Sequence, residues 1–134
     1  MRGIQPYSRA MSRLTARDDM IRMLQKAGCY SVTFQEDIDT HLVVLRFHRK
    51  SEQYELCISA RGWAAAHLRD FPHTSRSKLS PREYRARVLH QGMIAINPIL
   101  RDWIRHQLKT IDTGIFTFDD IFVQFAIQKE LMSA

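Results

Sequence analysis

The sequence predicts an α+β fold: an N-terminal helix, a three-stranded antiparallel sheet and a helical C-terminal half, in the order α-β-β-β-α-α-α. Three observations carry this expectation. Apolar residues recur at helical spacing up to Gly28 and alternate with polar ones beyond it; the polar turn Arg49-Lys50-Ser51 separates two alternating runs; and Ser80-Pro-Arg-Glu83 combines three helix-start signals.

Thr15-Ala-Arg-Asp18 has the form of an N-cap followed three residues later by an acid, and Met20, Ile21, Leu24 and Ala27 follow at helical spacing. A helix is expected from about Ala16 to Ala27. Tyr30, Val32 and Phe34 then alternate with Ser31 and Thr33, which makes a first strand, and Glu36-Asp37-Ile38-Asp39 supplies turn chemistry because Asp bonds its own backbone. Val43, Leu45 and Phe47 share one face of a second strand. Tyr54, Leu56 and Ile58 share one face of a third, so the two form a hairpin.

Between residues 60 and 80 the periodicity is lost, so this stretch is expected as a loop joining the sheet to the helical half, with at most a helical turn over Trp63 to Leu68. Ser80 as N-cap, Pro81 at the first helical position and Glu83 at the third then start a helix running toward Ile96. Asn97-Pro98 should kink or split it, since a proline inside a helix lacks the donor for the preceding turn and costs about 3 kcal/mol. Leu100, Trp103, Ile104, Leu108 and Ile111 form an apolar stripe ending at Gly114, and Thr117-Phe-Asp-Asp120 caps a last helix containing Ile121, Phe122, Phe125 and Ala126.

The 134 residues are expected to form a single domain, residues 1–12 being a flexible leader. With 45% hydrophobic and 25% charged residues the chain has the composition of an ordinary globular protein. No apolar run approaches the roughly 20 residues of a membrane helix, and the basic start lacks the apolar core of a secretory signal. Cys29 and Cys57 both fall inside strands, where small thiols are common, so a reducing, cytoplasmic setting is expected.

Charge is the main functional signal. Residues 61–109 carry ten Lys and Arg against three acids, whereas residues 110–134 carry one Lys against four acids, so the net charge of +6 is concentrated on one stretch. Screening confines such a field to about 8 Å at physiological salt, so clustering matters more than the total. On the helix after Pro98, Arg101, Arg105 and Lys109 fall at i, i+4 and i+8 and share one face. Arg82, Arg85 and Arg87 crowd the start of the preceding helix, with Arg76 and Lys78 in the loop before it. These eight residues are the candidate nucleic-acid-binding set, because Arg and Lys in a row track phosphates and Arg in particular binds them bidentately. Trp63 and Tyr84 are candidate stacking residues for single strands, whereas Trp103 on the apolar stripe is expected in the core.

Other chemistry finds little support. The six His are dispersed without metal-ligand spacing, so no metal is expected. Cys57 alternates out of phase with Tyr54, Leu56 and Ile58 and faces away from their apolar side, and an activated thiolate would need an electropositive site with an orienting third group. No catalytic residue, cofactor or enzymatic activity is assigned.

The element order resembles that of the double-stranded-RNA-binding domain, with Ser77-Lys-Leu-Ser-Pro-Arg82 in place of that family's Lys-Lys helix start. The block Ile104-x-x-x-Leu108-x-x-Ile111-Asp-x-Gly114-Ile-x-Thr-Phe-Asp-Asp-x-Phe122 resembles the closing segment of small uncharacterised proteins of phages and other bacterial mobile elements. That resemblance implies a mobile-element setting. The expectation is a nucleic-acid-binding accessory protein for replication, recombination or nucleoprotein assembly, with nucleic acid or a nucleoprotein complex as partner. The alternative is an adaptor, subunit or inhibitor of a nucleic-acid-guided defence complex, or a homodimer, using Met93, Ile94, Ile96 and Ile99 beside the expected kink.

Overall fold

The computed structural model describes residues 6–127, in the order α1 (Leu14–Lys26), β1 (Cys29–Asp37), β2 (Leu42–Arg49), β3 (Glu52–Ser59), α2 (Ala60–Asp70), α3 (Pro81–Asp112), α4 (Phe118–Phe122) and a closing 3-10 turn at Val123–Phe125. The fold is α+β, in the order expected.

The strands form one antiparallel sheet, β1-β2-β3, with Phe34 opposite Leu45 and Leu45 opposite Leu56. This register puts Val43, Leu45, Phe47, Tyr54 and Leu56 on one buried face, as the alternation requires. Lys50, at φ 58°, turns β2 into β3, and Asp37 closes the β1–β2 loop by accepting from the Asp39 and Thr40 backbone N–H groups at 3.0 and 3.2 Å. The bond from Thr40 holds the Asp37 carboxyl below its usual range. Asp37 is therefore a turn device, as expected, whereas Glu36 before it stays in β1 and pairs with Arg13 and Arg17.

α1 begins before the expected Thr15 cap. Leu14 N–H donates to the Ser12 hydroxyl at 3.1 Å, and Thr15 lies inside the helix. Residues 60–80 also differ from expectation: only 71–80 are loop, and 60–70 form three turns of helix. Ser59 caps them through the Arg61 N–H at 3.2 Å. Their packing face is small, with Ala60 and Trp63 closing on Gly92 of α3; a Cβ there would lie 3.1 Å from Trp63 Cε3 and 3.3 Å from the Ala60 methyl. Residues 6–12, expected as a flexible leader, lie against the helices. Trp63 Nε1 donates to the Pro6 carbonyl at 3.0 Å, and Gln91 Nε2 donates to the Ala10 carbonyl at 2.9 Å. Residues 1–5 of that leader are outside the described residues.

The largest departure is α3, a single 32-residue helix that runs through Pro98. Pro98 cannot donate to the Ile94 carbonyl, and the Asn97 side chain stands in for it, Nδ2 donating to the Ile94 carbonyl at 3.4 Å and to that of Met93 at 2.9 Å. Asn97 Oδ1 in turn accepts from Arg17 Nε of α1 at 2.9 Å, and Arg17 Nη2 reaches Glu36 Oε1 of β1 at 2.7 Å. One polar chain thus closes the break and ties three elements together.

Two apolar clusters sit side by side along α3. One joins Met20, Leu24, Phe47, Tyr54, Ile104 and Phe122; the other joins Val43, Trp63, Val88, Met93 and Ile96. Each fully buried large side chain contributes roughly 1.5–3 kcal/mol. α4 starts with a capping box between Thr117 and Asp120, as the sequence implies, and presses Phe118 and Phe122 onto Phe47. The chain then pairs Ala126 with Tyr54 at the β3 edge.

Cys29 is buried in the first cluster, where desolvation pushes its thiol pKa up to about 11 despite the nearby Arg49, whereas Cys57 is exposed. A thiol reagent at pH 8 is expected to label Cys57 in the folded protein and Cys29 only after denaturant is added. Prompt double labelling of the native protein would contradict this packing.

Candidate nucleic-acid interface

The N-terminal end of α3 is built by its cap. Ser80 Oγ accepts from the Glu83 N–H at 3.1 Å, and Glu83 Oε1 accepts from the Ser80 N–H at 3.0 Å. These bonds hold the Glu83 carboxyl below its ordinary range and commit the one acid between residues 71 and 101 to the helix start. The preceding loop is folded onto the same end: Tyr84 donates its hydroxyl to the Phe71 carbonyl, and the His73 Nε2 lies 2.7 Å from the Leu79 carbonyl. Arg76, Lys78, Arg82, Arg85 and Arg87 are consequently presented on an ordered surface. All five are exposed, and none forms an ion pair with a described residue.

α2 adds a residue that the charge pattern did not single out. Arg61 faces Arg85 across a concavity of about 390 Å³ between α2 and α3, walled by Leu68 and Leu89 and closed by His41. No carboxylate of the described residues lines it. Recognising Arg61 required knowing that α2 is a helix packed on α3.

The ridge expected at the other end of α3 is reduced. Arg101 is only 18% exposed and lies among acids, its Nε 3.0 Å from Asp102 Oδ1 and its Nη1 3.7 Å from Asp19 Oδ2, while Nη2 donates to the Tyr7 hydroxyl at 3.0 Å. Burial works to raise the Asp102 pKa, but hydrogen bonds from Tyr7 and Arg101 outweigh it and hold the carboxyl low. The i, i+4 spacing is correct, yet its neighbour Asp102 and Asp19 of α1 neutralise its first member, and the Tyr7 hydroxyl of the leader takes up its remaining donor group. Arg105, 53% exposed, shares Asp102 at 3.3 Å, and Lys109 is exposed without an ion pair among the described residues. These two meet Lys26 and Arg49 around a cavity of about 490 Å³. Arg49 had a sequence signal, since it continues the inward phase of Val43, Leu45 and Phe47 at the end of β2.

The stacking candidates also change. Trp63 is 8% exposed and lies against His67 with ring centroids 5.3 Å apart, so it is committed to the core. Tyr84 is half-buried beside His73 and tethered through its hydroxyl. Trp103 packs edge-on to Phe122 and Phe125, as its place on the apolar stripe implies. Phe116, in the loop after α3, is 48% exposed, alongside Tyr30, Phe71 and Tyr7 elsewhere on the surface; a Gly-Ile-Phe turn between two helices was its sequence signal.

The two basic clusters lie at opposite ends of α3. Arg85 and Arg105 are separated by 20 residues of helix, which at ~1.5 Å per residue is about 30 Å. That distance corresponds to roughly nine phosphates of one strand at ~3.4 Å each, so a long polyanion reaches both clusters and a small one does not. Of the apolar residues near Pro98, Met93, Ile94 and Ile96 are buried. Ile96 and Ile99 line an apolar groove of about 270 Å³ with Ile58, Trp103 and Phe125. No described helix is long and apolar enough to cross a membrane. Comparison of the chain with family models, curated proteins and solved structures finds no match in any of the three.

Proposed function

We propose that this protein binds nucleic acid through phosphate contacts at the start of α3, as a cytoplasmic accessory protein of a phage or other mobile element in replication, recombination or nucleoprotein assembly. The observation that carries the reading is the set Arg76, Lys78, Arg82, Arg85 and Arg87, exposed and without ion pairs among the described residues while Glu83 is held in the cap. Surfaces made only for solubility intersperse both signs evenly, whereas here five cations, four of them Arg, surround the single acid Glu83. The mobile-element setting rests on the resemblance of the Gly114-Ile-x-Thr-Phe-Asp-Asp-x-Phe122 block.

The second reading, an adaptor or inhibitor of a nucleic-acid-guided defence complex or a homodimer, draws on the apolar groove beside Ile96 and Ile99. Titration of the protein into labelled single-stranded DNA, duplex DNA and RNA at two salt concentrations separates the two. If all five cations contact phosphates of a duplex, the affinity is expected to fall about 500-fold from 50 to 200 mM salt, following a log–log slope of about −0.9 per contact. Absence of binding at low salt would turn attention to protein partners.

A further inference from the structure

The cavity at the far end of α3 lies away from the surface that carries the proposed function, and its chemistry is different. Lys26 comes from the last turn of α1, Arg49 from the end of β2, and Arg105 and Lys109 from α3; Asp112 is the one acid among the described residues that lines it. Met23, Leu108 and Ile111 give it apolar walls. At about 490 Å³ it falls in the range of roughly 300–1,000 Å³ typical of small-ligand clefts.

Arg49 is held in place by the fold. Gly28, at φ +92°, makes the tight turn from α1 into β1 that brings the Ala27 carbonyl to the end of β2, and Arg49 Nε donates to that carbonyl at 3.2 Å. Its guanidinium carbon lies 4.3 Å from the centre of the Phe118 ring. With Nε engaged and the plane resting on an aromatic face, the two Nη groups make no hydrogen bond to a described residue. A guanidinium so fixed is suited to a planar or tetrahedral oxyanion, for which little side-chain entropy is then lost. Lys26 and Lys109 add two mobile charges, neither paired with a described acid.

Four cations against Asp112, with Arg105 sharing Asp102 at 3.3 Å, leave a net excess of two charges, which favours a dianion over a singly charged group. Within nucleic-acid chemistry that distinguishes a terminal phosphomonoester, with about −1.5 to −2 charges at neutral pH, from the singly charged phosphodiesters of the chain. The apolar walls supply contact for a sugar and base. Phe116 stands exposed in the loop 113–117, whose flanking residues Asp112 and Phe118 both line the cavity.

We propose that this pocket binds a nucleoside phosphomonoester, either the phosphorylated end of a nucleic-acid strand or a free mononucleotide. The first source rests on the nucleic-acid reading above; the second does not.

The test uses the full chain and internally labelled single-stranded oligonucleotides carrying a phosphate at the 5′ end, at the 3′ end or at neither, with AMP measured separately by calorimetry. A phosphorylated end is expected to bind about 10-fold tighter than the unphosphorylated strand, as one added charge-assisted hydrogen bond would give. That preference should vanish in Lys26→Glu and weaken in Phe116→Ala, both exposed positions at which folding is expected to survive. Equal binding of all three oligonucleotides, with no heat from AMP, would overturn the pocket and leave the nucleic-acid reading intact. Binding of AMP alone would support a free-nucleotide site while removing the nucleic-acid reading. No binding of any ligand would overturn both.

Discussion

Asn97→Ala is expected to destabilise the protein by about 3 kcal/mol, because it leaves several groups without partners in a site that water does not reach. Asn97 is 0% exposed. Its loss orphans the Ile94 carbonyl, which Pro98 already denies a backbone donor, and it takes the acceptor from Arg17 Nε beside the Glu36 pair. At a few degrees per kcal/mol for a domain of this size, the melting temperature should drop by about 10 °C. Pro98→Ala provides the decisive control, since it restores the N–H that Asn97 replaces. In that background Asn97→Ala should cost about 1 kcal/mol less, a coupling that urea unfolding of the four variants measures directly. Equal costs in both backgrounds would mean that the asparagine acts only through Arg17.

The same residue explains where local reasoning about the sequence ends. Proline inside a helix is a break by local rules, and the repair comes from a neighbouring side chain whose geometry is fixed by Arg17, 80 positions away in the chain. Features set by neighbouring residues were legible: the alternation of Val43, Leu45 and Phe47, and the capping boxes of Ser80 with Glu83 and Thr117 with Asp120. α2 was not, because its packing face is Ala60, Trp63 and Ala64, too small for an apolar stripe until Gly92 is known to lie opposite. The candidate interface divides in the same manner. Exposure of Arg82, Arg85 and Arg87 follows from their place in the first turns of a capped helix, whereas Arg101 is engaged by its sequence neighbour Asp102 together with Asp19 and Tyr7 from distant parts of the chain. Arg61 and Lys26 join their clusters only through tertiary packing.

That division determines which charge reversals are informative. Replacing Arg82, Arg85 and Arg87 together by Glu is expected to weaken nucleic-acid binding at 50 mM salt by about 100-fold and to reduce the salt slope by about 3, one for each phosphate that is no longer neutralised. The melting temperature should barely change, because these side chains make no ion pair with a described residue and lie outside both apolar clusters. Arg101→Glu is expected to behave in the opposite manner. It places a third carboxylate beside Asp19 and Asp102 in a site only partly open to solvent, and so should cost about 2 kcal/mol of stability. Any weakening of binding there would then follow the loss of folded protein, with the salt slope unchanged. Under the adaptor reading the triple reversal would leave a protein partner bound, and Ile99→Asp at the apolar groove would release it. A triple variant that melts normally and still binds nucleic acid with an unaltered salt slope would exclude the start of α3 as the phosphate-binding surface.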